Sequence, residues 1–106
     1  MNFEIKEEIL LKNYMPDKIT LKNMSTFFYA FSDDTRLSII ILLMMKSFCV
    51  GDITNILNIN QTTVSHQLKI LKNLNIVDCD RQGKNIIYYI KNQNLENVFD
   101  ATVNCI

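Results

Sequence analysis

The clearest alternation of hydrophobic and polar positions in the chain runs from residue 60 to residue 72. Val64, Leu68 and Leu71 recur at helical spacing and predict one apolar stripe, which Ile70 widens. The other positions carry polar or cationic side chains: Gln61, Thr62, Ser65, His66, Lys69 and Lys72. The pattern therefore predicts a helix that packs on a small core and keeps a polar surface, with its short polar side chains in the first two turns.

A shorter pattern precedes this helix. Residues 50–57 predict a short helix whose Ile53, Ile56 and Leu57 face inward, and a three-residue turn then ends at Asn60, a favourable N-cap. A short helix, a tight turn and a polar-fronted helix form a helix-turn-helix, whose second helix can enter a DNA major groove. An ordinary helical hairpin with a solvated polar face fits the same pattern, so this motif alone leaves both interpretations open.

The residues after the helix predict a β-hairpin. Residues 75–81 have extended character, and residues 86–90 have the β-branched and aromatic composition of a strand. Gly83 lies between them and suits the positive-φ position of a turn. A hairpin placed directly after a recognition helix is a wing, with Arg81 and Lys84 at its tip near the minor groove or the sugar-phosphate backbone. The alternative is a plain hairpin with a solvated tip.

Four segments of the chain together resemble the ArsR/SmtB family of winged helix-turn-helix repressors. They are residues 31–39 (FSDDTRLSI), 49–53 (CVGDI), 63–71 (TVSHQLKIL) and 81–89 (RQGKNIIYY). The resemblance implies a mainly α-helical fold with a small β-hairpin wing. It also implies a homodimer that forms through the N- and C-terminal helices and binds double-stranded DNA at an imperfect palindromic operator.

We interpret residues 1–106 as one winged helix-turn-helix domain. Its predicted segments are N-terminal helices over 1–31, a core helix over 33–46, the helix-turn-helix over 50–74, the wing over 76–91 and a C-terminal dimer helix over 94–106. The first helix is expected over residues 3–14. The apolar face of residues 21–31 suits either a monomer core or a partner surface, and the resemblance favours the partner surface.

The core helix carries two further predictions. Asp33 is expected to cap its N-terminus, and Arg36 is expected on its exposed side, in a salt bridge with Asp33 or Asp34 or, alternatively, on a DNA phosphate. The inward side chains are expected to be Leu37, Ile40, Ile41, Met44 and Met45.

The polar front of the second helix and the wing supply the predicted DNA contacts. Short hydroxyl and amide side chains can reach base edges, and cationic side chains meet phosphates. Base or near-base contacts are therefore expected from Gln61, Thr62, Ser65 and His66. Backbone contacts are expected from Thr63, Lys69, Arg81 and Lys84.

The charge distribution is consistent with DNA binding, although the net charge of the chain is zero. Residues 60–91 carry five cationic and two acidic side chains, a net +3 that a dimer would double. The zero total leaves one alternative open: a dimeric protein-interaction module that keeps this fold and has lost DNA binding. No nucleophile with a base and no phosphate loop is recognisable, so we do not expect an enzyme.

The N-terminal sequence does not resemble a secretory signal, because Glu4, Glu7 and Glu8 interrupt any apolar stretch. No apolar run is long enough to span a bilayer. An odd number of cysteines, three, argues against a disulfide framework. We therefore expect a cytoplasmic protein.

Both metal sites that the resemblance implies are incomplete in this sequence. The Cys-Val-Cys pattern is represented by Cys49, a valine and Gly51, and the last helix offers Asn92, Asn94 and Cys105 where ligands such as aspartate and histidine are expected. We therefore expect neither a bound metal nor another cofactor, and the inducer is not identifiable. Cys49, Cys79 and Cys105 are either packing residues or include a redox or thiol-sensing pair, formed by Cys49 and Cys105 or by the two copies of Cys105 across the dimer. No cysteine is expected to have a thiolate-stabilising side chain beside it, although Cys49 is expected near a helix N-terminus.

Overall fold

The computed structural model describes residues 4–106, which form six helices and one three-stranded antiparallel sheet. The helices are α1 (Ile5–Tyr14), α2 (Lys18–Tyr29), α3 (Asp34–Met45), α4 (Val50–Leu57), α5 (Gln61–Asn73) and α6 (Leu95–Asn104). The strands are β1 (Phe48–Cys49), β2 (Val77–Gln82) and β3 (Asn85–Ile90). The predicted start of the first helix at residue 3 lies outside the described residues. The mainly α-helical fold with a small wing is confirmed.

Side-chain caps fix the start of the two central helices. The Asp33 carboxylate accepts a hydrogen bond from the backbone N–H of Arg36 at 2.9 Å, and the Asn60 side-chain oxygen accepts one from Thr63 at 2.8 Å. Each cap satisfies an N–H group that has no partner within its helix, which stabilises such a helix by about 1 kcal/mol relative to alanine. Both predicted N-caps are confirmed.

The core is built around α3, but on a different face from the predicted one. The buried side chains of α3 include Ile39, Ile40, Leu42 and Leu43. Of the predicted set only Ile40 is fully buried, and Met45 is 75% exposed. The prediction failed because residues 37–45 are apolar at eight of nine positions, so their sequence has no period that selects a face.

Helix α4 has the predicted bounds and most of the predicted orientation. Ile53 is fully buried and Leu57 packs against the core, but Ile56 is 53% exposed. The inward position predicted for Ile56 is therefore wrong. Ile53 and Leu57 are four residues apart and lie above one another, so this eight-residue helix presents only a narrow stripe to the core.

The sheet has one more strand than the predicted hairpin. β3 lies in the centre, with β2 on one side and the two-residue β1 on the other. In β1, Phe48 lies opposite Tyr88 and Cys49 lies opposite Ile87. Two residues are too few to show a strand period in the sequence, so only the pairing with β3 defines β1.

A left-handed residue turns the chain from α5 into the wing. Asn75 has φ = 61°, its N–H donates to the carbonyl of Lys72, and the N–H of Ile76 donates to the carbonyl of Leu71. This pair of bonds is the Schellman motif, in which asparagine can replace the usual glycine. It directs Ile76 and Val77 into the core, and thereby sets where β2 begins relative to α5.

The terminal helices leave apolar side chains uncovered. No residue of α1 or α2 is buried, and apolar side chains of both helices face solvent: Ile5, Ile9, Leu10, Leu11, Ile19, Leu21, Met24 and Phe28. The radius of gyration is 18.1 Å, compared with about 13 Å for a compact domain of this length. Within residues 4–106, no helix combines the length and apolar character needed to cross a membrane.

Candidate nucleic-acid interface

Helix α5 separates a buried face from a polar one. Val64, Leu68 and Leu71 are 0% exposed and attach the helix to the core, as predicted. Five of the predicted DNA-contacting side chains are exposed: Gln61, Thr62, Ser65, His66 and Lys69. At about 100° per residue, these five positions fall within an arc of about 140° around the helix axis. The fold therefore brings them together on one solvent-facing surface, which we call the polar face of α5.

Thr63 does not share this surface. Its side chain is half-buried, and its position lies about 60° beyond the arc of the polar face. Its backbone N–H is already bonded to the Asn60 cap. The predicted role of Thr63 in positioning the DNA backbone therefore stays a prediction, with less geometric support than the other five.

The wing presents cationic side chains at its tip. β2 and β3 pair from Val77 opposite Ile90 to Gln82 opposite Asn85, which leaves a two-residue turn of Gly83 and Lys84. Gly83 has φ = +64°, a conformation that glycine adopts without a steric cost. Arg81 and Lys84 are exposed, and neither forms a salt bridge within the described part of the chain. Both cations thus remain available to phosphates.

Arg36 is buried, which contradicts the predicted exposed position and salt bridge. Arg36 is only 4% exposed, and its guanidinium donates three hydrogen bonds. Nε donates to the carbonyl of Ala30 at 3.0 Å, Nη2 to the carbonyl of Tyr29 at 3.0 Å, and Nη1 to Oε1 of Gln67 at 3.2 Å. The last carbonyls of a helix lack partners within the helix, so the guanidinium caps the C-terminus of α2.

Gln67 is the residue of this neighbourhood that the sequence analysis did not single out. It lies on α5, is half-buried, and accepts the third bond of Arg36. A helical wheel places it beside the apolar stripe and about 170° from the centre of the polar face. The sequence could have indicated that Gln67 is partly buried, because it is a polar residue beside the apolar stripe. It does not indicate that Arg36 is the partner of Gln67.

Cys79 has a cationic neighbour, which contradicts the expectation that no cysteine has one. Nζ of Lys72 donates to Sγ of Cys79 at 3.4 Å. This hydrogen bond is the main cause that raises the pKa of Lys72 above its ordinary value, followed by the electrostatic interaction between Lys72 and Cys79. The contact joins the last turn of α5 to β2, at the base of the wing.

The other two cysteines do not meet in a metal site. The Cys49 thiol donates to a carboxylate oxygen of Asp52 at 3.3 Å, and Cys105 is exposed after α6. Across residues 4–106, no three histidine, cysteine or acidic side chains converge as metal ligands would. Cys49 and Asp52 provide two donors where a tetrahedral metal needs four, so these residues do not fit a site within one protomer. The thiol-sensing role of Cys49 and Cys105 stays a prediction.

Comparison with known proteins identifies the family. The family described as "Bacterial regulatory protein, arsR family" matches residues 33–78. The cadmium resistance transcriptional regulatory protein CadC of Listeria innocua is 40% identical over 83 residues, which cover 77% of this chain and 70% of CadC. The transcriptional repressor SdpR of Bacillus subtilis is 34% identical over 83 residues, which cover 78% of this chain and 92% of SdpR.

A solved structure agrees with the fold. The homodimeric winged helix-turn-helix DNA-binding domain of Mb0332 from Mycobacterium bovis has a TM-score of 0.76 and 24% identity, and the match covers 87% of each chain. The relatives at 40% and 34% identity are named as a transcriptional regulatory protein and a transcriptional repressor. This chain therefore belongs to the ArsR family of bacterial transcriptional regulators.

Proposed function

We propose that this regulator is a homodimeric repressor that binds an imperfect palindromic operator through α5 and the wing. One observation carries the proposal: α5 buries one stripe completely and exposes five side chains with hydrogen-bonding or cationic groups on a single face. In a dimer, two such helices can enter successive major grooves on one side of the duplex. The polar face of α5 would meet base edges, and the wing cations would meet the backbone.

The uncovered apolar surface supports the homodimer. Apolar side chains on α1 and α2 face solvent in the protomer, and on α6 Val103 is 50% exposed. Many exposed apolar side chains in so small a protein are typical of an interaction site. The M. bovis relative is a homodimer of the same fold, and a dimer also doubles the positive charge of residues 60–91.

Base reading and backbone binding can be separated by two substitutions. Gln61→Ala is expected to lower the preference for the operator over random duplex by about 1–3 kcal/mol, because it removes one base contact. Lys84→Ala is expected to weaken binding to every sequence alike and to reduce the salt dependence by about one phosphate contact. Fluorescence anisotropy at several salt concentrations, on operator and random duplexes, measures both effects.

Each substitution serves as the control for the other. If Gln61→Ala left the selectivity unchanged, our assignment of the base-reading side chains would be wrong. If the unaltered protein bound neither duplex at low salt, the interaction-module alternative would replace the repressor proposal, and the zero net charge would then have an explanation.

We infer that the effector is not a metal held by Cys49, although CadC is named for cadmium resistance. The donors around Cys49 do not complete a ligand set, so we expect anaerobically purified protein to hold no tightly bound zinc or cadmium, and operator binding to be insensitive to either ion. Elemental analysis and operator titration with each metal test this. One zinc retained per protomer or per dimer would contradict it. We place the protein in the cytoplasm, with the DNA it regulates.

A further inference from the structure

A buried arginine connects the end of α2 to the DNA-reading helix. We propose that Arg36 is a positioning residue: through Gln67 it holds α5 in the orientation that operator reading requires, and it ties that orientation to the position of α2. The inference rests on the proposed repressor function and adds to it a route by which the proposed dimer helices control DNA affinity.

The guanidinium is held in place without a carboxylate. Two of its three hydrogen bonds go to the final carbonyls of α2, at Tyr29 and Ala30, where the helix carries negative partial charge. Its Cζ also lies 4.8 Å from the centroid of the Tyr29 ring, which adds a cation–π contact. Because the guanidinium is planar and rigid, these contacts fix the direction of Nη1, the atom that bonds Gln67.

Gln67 is suited to position α5 and not to read DNA. It lies about 170° around the helix from the centre of the polar face, so its side chain and the exposed side chains serve opposite surfaces. The apolar stripe holds α5 on the core but has no directional contact, whereas the bond from Arg36 to Gln67 selects one rotation and one depth. It is also a charge-assisted hydrogen bond, which is stronger than a neutral one.

The position of Arg36 also depends on the position of α2. The apolar surface that we propose for the dimer includes Phe28, which directly precedes the carbonyls that Arg36 binds, and Met24, about one turn before Phe28. A shift of α2 against its partner would therefore move the acceptors of Arg36, and with them the donor to Gln67. The guanidinium of Arg36 is bonded to both α2 and α5, so it couples the two helices directly and without a chain of further residues.

The test is Gln67→Met, which keeps the length of the side chain and the helix propensity and removes the acceptor. We expect about tenfold weaker binding to an operator selected from a random library by the unaltered protein, with binding to random duplex unchanged and the unfolding midpoint within a few degrees of the parent. Gln93→Met is the matched control, because Gln93 is exposed and lies outside α5. It should bind like the parent. Operator binding by the parent is the positive control for the proposed function.

A double-mutant cycle separates positioning from direct contact. If Gln67 acts through Arg36, Gln67→Met should cost almost nothing further in an Arg36→Lys background. An additive loss would overturn the proposal, as would equal losses on operator and random duplex or unchanged operator binding.

If Arg36→Lys does not fold, amide chemical shifts of the free Gln67→Met protein decide instead. Positioning predicts shifts along residues 61–66 and at Tyr29 and Ala30 without DNA. Shifts confined to the immediate neighbours of residue 67 would overturn it.

Discussion

Replacing Arg36 by methionine is expected to lower the free energy of unfolding by about 2 kcal/mol, because the Ala30 carbonyl loses its donor, whereas the Tyr29 carbonyl keeps its bonds from the backbone N–H and hydroxyl of Ser32. A buried ionic group can sometimes be exchanged for an apolar one at no cost, but that requires both partners to be replaced. Here the acceptors are the backbone carbonyls of Tyr29 and Ala30, which no side-chain substitution removes. Urea denaturation at a fixed protein concentration measures the loss.

Arg81→Met provides the control for this loss. Arg81 is exposed at the wing, so the same substitution should change stability by no more than about 0.5 kcal/mol, while it weakens DNA binding. Equal stability of the two variants would show that the Arg36 bonds contribute nothing net to folding.

Leu68→Ala is expected to destabilise the protein by about 3 kcal/mol, since Leu68 is fully buried on the stripe that holds α5. Lys69→Ala, one position further along the helix, should change stability by less than about 0.5 kcal/mol and should weaken DNA binding. Urea denaturation and DNA titration of these two variants distinguish the buried face of α5, which contributes to stability, from its polar face, which contributes to DNA binding. A loss below about 1 kcal/mol for Leu68→Ala would contradict the burial assigned to the stripe.

Local signals account for what could be predicted from the sequence. Asn60 and Asp33 cap their helices through hydrogen bonds that span three residues, so the sequence contains both partners. The stripe of α5 has an unambiguous period, and Gly83 marks the turn between two strand-like segments. These features define the helix-turn-helix and the wing without any knowledge of the tertiary structure.

The features that could not be predicted depend on distant partners. Arginine is rarely buried, and nothing near Arg36 in the sequence reveals that the end of α2 and Gln67, 31 residues further on, supply its acceptors. Likewise, the apolar run of α3 does not indicate which face the sheet and α5 will cover. In the candidate site, the exposed side chains of α5 could be predicted, whereas the residue that orients the helix could not.

The short strand β1 affects how independently α4 and α5 can unfold. Cys49 directly precedes α4 and pairs into the sheet, while α5 leads through its C-terminal turn into β2 on the opposite side of β3. The segment that contains α4 and α5 is therefore attached at both ends to the same sheet, through β1 before α4 and through β2 after α5. Separation of either helix from the core would disturb the strand at its end, so we expect the backbone amides of α4, α5 and the sheet to exchange with solvent through one cooperative opening. Those of α1, which has no buried side chain, would exchange through local fraying.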